Sequence, residues 1–264
     1  MAKNQIQQFH AVSLSGGKDS TAMLLLMIER GMPIDMVIYA DTGMEFPEMY
    51  THIKKLDAYL YQQRGIHITV LRHPMGFEYL MFDEPKQKAS CLEKRSRLGI
   101  PPFGNGWPGI RVRWCTGQLK THLITKEVNR LKGELGALHY VGIASDEAWR
   151  CRDDQYPLVE WGITEAQALQ ICYDRGFDFG GLYEIYHRCS CWCCPFQRIG
   201  ELRKLRKHHP ELWQKLLEMD RRARAQFAQA LWGSSRRIGA LTGWRNDFQR
   251  KIAKQPDYLP TEKR

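Results

Sequence analysis

Long apolar stretches are missing from this 264-residue chain. Its longest unbroken run, Ala22–Ile28, is far below the ~20 residues that a bilayer-spanning helix needs. Met1–His10 has no apolar core of the kind a secretory signal carries. A cytoplasmic protein with no membrane partner is therefore expected. Internal repeats and low-complexity linkers are also lacking. Acidic residues are scarce in one place only: residues 198–264 hold 17 Lys+Arg against 7 Asp+Glu, whereas 1–197 hold 22 of each. The last quarter thus carries the whole net charge of +10. Such segregation points to a polyanion, most often nucleic acid, against the plainer reading of a solvated helical face.

What is present suits a folded enzyme. At 43% hydrophobic and 11% aromatic, the chain can bury a core as one large domain, or as one domain with a small appendage. The pattern divides it at 1–197 and 198–264. Gln8–Leu14 reads as a strand running into Ser15-Gly16-Gly17-Lys18-Asp19-Ser20, and Thr21–Arg30 as a buried helix. Ile34–Ala40 and Ile66–Leu71 read as strands, with Pro47–Arg64 a helix between them whose proline suits the first turn. This alternation predicts an α/β fold, a parallel sheet covered by helices. His73–Arg113 is irregular and proline-rich, as functional loops of that length usually are. Thr116–Lys132 and Ile163–Arg175 have helical spacing, the latter with Thr164 as N-cap, and Leu138–Ile143 reads as a strand. Arg198–His209 and Glu211–Trp232 read as two basic helices broken at Pro210.

The strand–loop–helix setting gives Ser15–Ser20 its chemistry. Backbone N–H groups and the helix dipole converge on one point, and Gly16 and Gly17 let an anion approach the backbone. Lys18 adds positive charge, Ser15 and Ser20 add hydroxyls, and Asp19 suits loop orientation or a water-mediated hold on Mg2+. The spacing is not that of the Walker loop. Instead, Ser-Gly-Gly-Lys-Asp-Ser resembles the pyrophosphate (PP) loop of the adenine-nucleotide α-hydrolase superfamily. That resemblance implies a five-stranded parallel, Rossmann-like sheet and cleavage of ATP between its α and β phosphates.

Tyr39-Ala-Asp-Thr-Gly43, Arg113-Trp-Cys-Thr116 before Leu119-Lys120, Val141–Glu147 before Arg150, Tyr156-Pro-Leu158 and the segment from Cys191 to Pro195 narrow the likeness. Together they resemble the phosphoadenosine phosphosulfate reductase family over residues 8–200. The resemblance places Asp41 near the nucleoside, against its alternative as a turn residue. Reductases of sulfonucleotides resemble one another in a Glu-Cys-Gly-(Leu/Ile)-His segment, whereas the last cysteine here is Cys194. They also tend to have a degenerate loop, and here it is intact. The likeness is therefore closest to ATP pyrophosphatases of DNA phosphorothioation, with tRNA-thiolating enzymes next. It implies adenylylation of an acceptor oxygen before sulfur transfer, with Lys18, Asp19 and Ser20 catalytic. A cysteine desulfurase as sulfur donor goes with that likeness, and the sequence leaves room for a homo-oligomer. Two rivals stand beside this reading: a reductase of adenylyl sulfates, and a non-catalytic module that binds ATP and DNA.

Eight cysteines, at 91, 115, 151, 172, 189, 191, 193 and 194, call for metal or redox chemistry rather than disulfides. Cys191 and Cys194 have ligand spacing. Cys115 lies about where the family brings a third thiolate, and Cys91 is a fourth candidate, with Cys189 and Cys193 as rivals. Four thiolates suit a [4Fe–4S] cluster, with zinc as the alternative. Cys151 and Cys172 read as packed thiols, and His208-His209 as a solvated helix end. Arg150 suits either a phosphate clamp or an ion pair with Asp153 or Asp154. Trp107, Trp114 and Trp192 suit a hydrophobic shell better than base stacking.

Overall fold

The computed structural model describes residues 8–84, 93, 104–109, 112–133, 135–231 and 247–255. Along the chain run β1 (Phe9–Leu14), α1 (Lys18–Glu29), β2 (Met36–Asp41), α2 (Pro47–Arg64), β3 (Ile68–Arg72), α3 (Gly76–Phe82), α4 (His122–Leu131), β4 (Ala137–Val141), α5 (Glu165–Asp174), α6 (Ile199–His208), α7 (Pro210–Leu231) and α8 (Asp247–Ala253). No helix among the described residues is long and apolar enough to cross a membrane.

The chain packs as two compact units, one of Met1–His73 with Gln118–Ser190 and the other of Pro74–Gly117 with Cys191–Arg264. This is not the division at residue 197 that the charge pattern suggests. The reason lies in the second unit. There the Trp107 indole donates to the buried Asp220 of α7 at 3.2 Å, and Arg222 of α7 pairs with Asp83 at 2.8 Å. Asp83 and Trp107 of the irregular segment thus fold with α7.

In the first unit the sheet is wholly parallel, in the order β3-β2-β1-β4. All six residues of β2 are buried, as expected for an inner strand covered on both faces. Among the described residues the sheet has four strands, not the five implied by the resemblance. Beyond β4 the chain makes one parallel bridge, Tyr140 to Gln155, and Pro157 then opens the helical turn Pro157–Glu160. Proline has no N–H with which to extend a ladder.

Helix α1 begins at Lys18, three residues before the apolar run suggests, because extended Gly17 caps it and accepts from the Thr21 N–H at 3.0 Å. Ten of its twelve residues are buried, so it is covered on nearly all sides, and it packs against α5. Near the other side of the sheet, Ala11, Met36 and Ile38 pack with Val128 of α4. The expected helix from Thr116 is broken locally: Gly117–Thr121 forms a wider π turn before α4. Thr164 caps α5 as expected, in a reciprocal capping box with Gln167. Pro210 does not merely break the basic helices but starts the second one.

His52 of α2 lies buried with its Nε2 3.1 Å from the Thr21 hydroxyl and its ring 4.3 Å from that of Phe179. Burial holds its pKa down to about 4, and its Nδ1 has no hydrogen-bond partner among the described residues. The folded protein therefore keeps His52 neutral, while the unfolded chain takes up a proton near pH 6.5. Its contribution to stability is complete above about pH 6.5 and is lost as pH falls from there towards 4, at up to about 1.4 kcal/mol per pH unit. Denaturant unfolding between pH 7 and 4.5 should show this slope, and His52→Gln should flatten it. An equal slope in the variant would assign the acid sensitivity to other groups.

Candidate active site

Strand order reverses between β1 and β4, and open parallel sheets bind ligands beyond the carboxyl ends of the strands at such a point. Ser15–Ser20 leaves β1 there. Gly16 has φ +83°, and a Cβ on it would lie 2.9 Å from the Met49 Cε and 3.2 Å from the Ile53 Cδ1. The left-handed backbone conformation therefore requires glycine, whereas the packing would ask only the flexible end of Met49 to shift. The Ser20 hydroxyl knots the loop: it accepts from the Ser15 N–H at 3.1 Å, lies 2.9 Å from the Ser15 Oγ and donates to the Gly17 carbonyl at 3.1 Å.

Lys18 is buried, and its ammonium donates to the Glu165 Oε1 at 2.8 Å and the Asp19 Oδ2 at 3.4 Å. Burial outweighs Lys18 and raises the pKa of Asp19, with Glu165 pushing the same way. The Asp19 Oδ1 is buried and has no hydrogen-bond partner among the described residues. Such an orphaned oxygen fits the one or two carboxylates by which proteins usually hold Mg2+. Above the helix start, the Tyr183 hydroxyl accepts from the Lys18 N–H at 2.8 Å and in turn bonds Cys189. Burial, chiefly, raises its pKa well above that of a free phenol. Glu165 and Tyr183 were not foreseen as site residues. They lie 147 and 165 residues from Lys18, and nothing local marks them.

The segment after β4 closes on the loop. A Cβ on Gly142 would meet the Ser20 backbone at 2.6 Å, so only glycine allows this approach. Four residues on, Asp146 accepts from the Glu165 N–H at 3.1 Å, tying the segment to the start of α5. Arg150 pairs with Glu147, not with Asp153 or Asp154. Asp41 is 2% exposed and already saturated: its Oδ1 accepts from Gly43 N–H at 2.7 Å and Tyr50 hydroxyl at 3.1 Å, and its Oδ2 from Arg72. It anchors the turn after β2, and a nucleoside hydroxyl there has to displace one of these donors.

Cys172 is fully buried in α5 with its pKa pushed up to about 12 by burial, a packed thiol as expected, and its Sγ donates to the Lys18 carbonyl at 3.4 Å. Cys115, Cys191 and Cys194 all belong to the second unit, and all are half-buried thiols. Cys191 and Cys194 bracket a turn closed by the Cys194 N–H to Cys191 carbonyl bond at 2.9 Å, which turns Trp192 and Cys193 inward. Among the described residues no three His, Cys, Asp or Glu side chains form a group able to hold a metal ion, and Cys91 lies outside those residues. The described thiols thus do not by themselves fit a [4Fe–4S] or zinc centre.

In the same unit Trp107, Trp114 and Trp192 are buried, a shell rather than a stacking surface. His209 is buried too, against expectation. The arginines of α7 differ from one another: Arg222 pairs with Asp83 and lies over the Phe82 ring, Arg224 pairs with Asp220 at 2.7 Å, and Arg221 is exposed. On α6, Arg203 and Lys207 are exposed one turn apart, while Lys204 pairs with Glu201.

Residues 10–89 match the phosphoadenosine phosphosulfate reductase domain, a family of the adenine-nucleotide α-hydrolase superfamily. Matches of this kind mark PP-loop enzymes that use adenine nucleotides. Two uncharacterized proteins of Methanocaldococcus jannaschii are similar to this chain. MJ0066 is 26% identical over 227 residues, covering 77% of this chain and 40% of that protein. MJ0973 is 23% identical over 237 residues, covering 84% and 50%. The chain thus spans half or less of the length of these relatives.

The close approach at Gly142 makes a direct expectation. Gly142→Ala has to push the start of α1 away and should lower stability by about 1–3 kcal/mol, read from the denaturant midpoint. An unchanged midpoint would show that the segment after β4 does not need to sit against Ser20.

Proposed function

We propose that this chain is a PP-loop ATP pyrophosphatase. It transfers the adenylyl group of ATP to an acceptor oxygen that sulfur then replaces, with nucleic acid as the substrate and DNA ahead of tRNA. The observation that carries the reading is the convergence, at the sheet's point of reversal, of a glycine loop, the start of α1, Lys18 and Ser20. The acceptor oxygen attacks the α-phosphorus and the bond to the β-phosphate breaks. Negative charge then grows on the departing pyrophosphate, where the N–H groups at the start of α1, the Lys18 ammonium and the Ser20 hydroxyl receive it. Glu165 keeps the ammonium in place. Mg2+, when bound through Asp19, supplies further neutralisation of the phosphate oxygens.

Cys191 and Cys194 enter as thiols that receive and pass on sulfur, supplied by a desulfurase-type donor. The intact loop favours ATP over a sulfonucleotide, which has no β,γ-pyrophosphate to fill it. The nucleic-acid interaction is assigned to Arg203 and Lys207, because Arg222 and Arg224 are engaged with acids of their own unit.

Lys18→Ala and Ser20→Ala should each slow pyrophosphate release by about 10²–10³-fold with the circular dichroism spectrum unchanged. Wild-type rates in Lys18→Ala would end the assignment. Sulfite release from a sulfonucleotide with a thiol reductant would replace it with the reductase reading, and ATP binding with neither product would replace it with a binding module. A second expectation concerns α6. Duplex DNA binding should fall steeply with salt. Reversing Arg203 and Lys207 to Glu should weaken it and flatten that slope by about 0.9 for each phosphate that is no longer neutralised. Unaltered binding would leave α6 as a solvated face.

A further inference from the structure

A large apolar side chain left in water is ordinary when it stands alone and loosely held. Phe196 of the second unit is neither. Two consecutive turns place it. The first, from Cys191 to Cys194, faces Trp192 and Cys193 inward. The second is closed by the Gln197 N–H to the Cys194 carbonyl at 3.1 Å. Proline suits the second position of such a turn, and Pro195 takes it, which leaves Phe196 at the third. Pro195 and Gln197 are buried, whereas Phe196 between them is 46% exposed. The Lys251 ammonium of α8 donates to the Gln197 carbonyl at 2.9 Å and to the Pro195 carbonyl at 3.4 Å. The backbone on either side of the ring is therefore pinned with the ring facing out.

The surroundings of the ring are cationic. The Arg113 guanidinium lies 5.0 Å from the ring centre, and Arg198, two residues beyond the ring, is exposed. Neither arginine has an ion-pair partner among the described residues, unlike Arg222 and Arg224 of α7. The sequence holds no Asp or Glu at positions 94–126, which include Arg113, or at 185–200, which include Phe196 and Arg198. An apolar protein partner on the ring has to bury both guanidinium groups unpaired, which is costly. A nucleobase with its flanking phosphates suits all three side chains: it stacks on the ring while its phosphates meet the arginines. A base inside a duplex has its faces covered by its neighbours, so the base that fits here is one outside the stack.

We propose that Phe196, with Arg113 and Arg198, is a stacking platform for an unpaired base of the nucleic-acid substrate. This rests on nucleic acid being the substrate, as in the reading above, and narrows it to strands with at least one base out of the duplex stack. Arg198 is the N-cap residue of α6, the helix that carries the exposed Arg203 and Lys207. Phosphate contacts along α6 hold the strand without regard to pairing, and the ring selects the unpaired base. A rigid ring loses little freedom on stacking, which is what the pinned backbone supplies.

The test is fluorescence anisotropy of the full chain with three DNA probes: a single strand, the perfect duplex it forms, and that duplex with one bulged base. The bulged duplex should bind more tightly than the perfect one. Phe196→Ala should remove that difference and weaken single-strand binding by about tenfold, with the circular dichroism spectrum unchanged, and Phe196→Trp should restore both. The salt slope should be the same in wild type and Phe196→Ala, because stacking releases no counterions. Arg198→Gln should flatten the single-strand slope by about 0.7. Equal wild-type affinity for bulged and perfect duplexes overturns the platform and leaves the readings of α6 and the loop standing. So does a loss in Phe196→Ala that is as large for the perfect duplex as for the single strand. Wild-type protein that binds none of the probes overturns nucleic acid as the substrate, and the platform with it, while pyrophosphate release reports on the loop separately. A dimer that Phe196→Ala splits, seen by light scattering, assigns the ring to a second copy of the chain and overturns the platform.

Discussion

A positive charge taken out of water has to be met by acids, and the Lys18 ammonium is such a charge. Leaving a buried ion unpaired costs about 3–5 kcal/mol, a large part of the stability of a domain. The requirement reaches well beyond the loop. Glu165 meets the ammonium only if α5 starts where the Thr164 cap puts it, and Asp146 fixes that start by holding the Glu165 N–H. Gly142 brings the segment bearing Asp146 against Ser20. One lysine thus sets the positions of two stretches distant in sequence.

The acids around the sheet's carboxyl ends are used in contrasting ways. Asp41 has its lone pairs filled by Arg72, Tyr50 and Gly43, and so holds a turn in shape. Asp19 keeps one buried oxygen without a partner among the described residues, and its raised pKa records the lack of compensation. Two aspartates flanking the same sheet end are distinguished by their neighbours, not by their motifs.

What the sequence disclosed follows from the range of the forces involved. The loop was legible because strand, glycines, lysine and helix lie within a dozen residues, and Thr164 was legible because capping is local. The parallel α/β order followed from alternating periodicity. Glu165 and Tyr183 were hidden because only the fold brings them to Lys18. The ion pair of Arg222 was hidden for the same reason: Asp83 lies 139 residues before it, and a charge count over residues 198–264 does not contain it. The early start of α1 was missed because the polar triplet Lys18-Asp19-Ser20 looks like loop, whereas Gly17 already supplies the cap. The reduced fifth strand turned on where Pro157 falls.

The phenol of Tyr183 gives the anion cradle a resident acceptor on the Lys18 N–H. An incoming oxygen therefore exchanges one hydrogen bond for another instead of adding a new one. An alcohol or water oxygen gains nothing by the exchange, since it replaces like with like. A phosphate oxygen gains, because hydrogen bonds to ionised acceptors are about twice as strong as neutral ones. On the proposed function, the tyrosine thus sets a threshold on charge, so that the cradle would sort its visitors by ionisation before size or shape has any say.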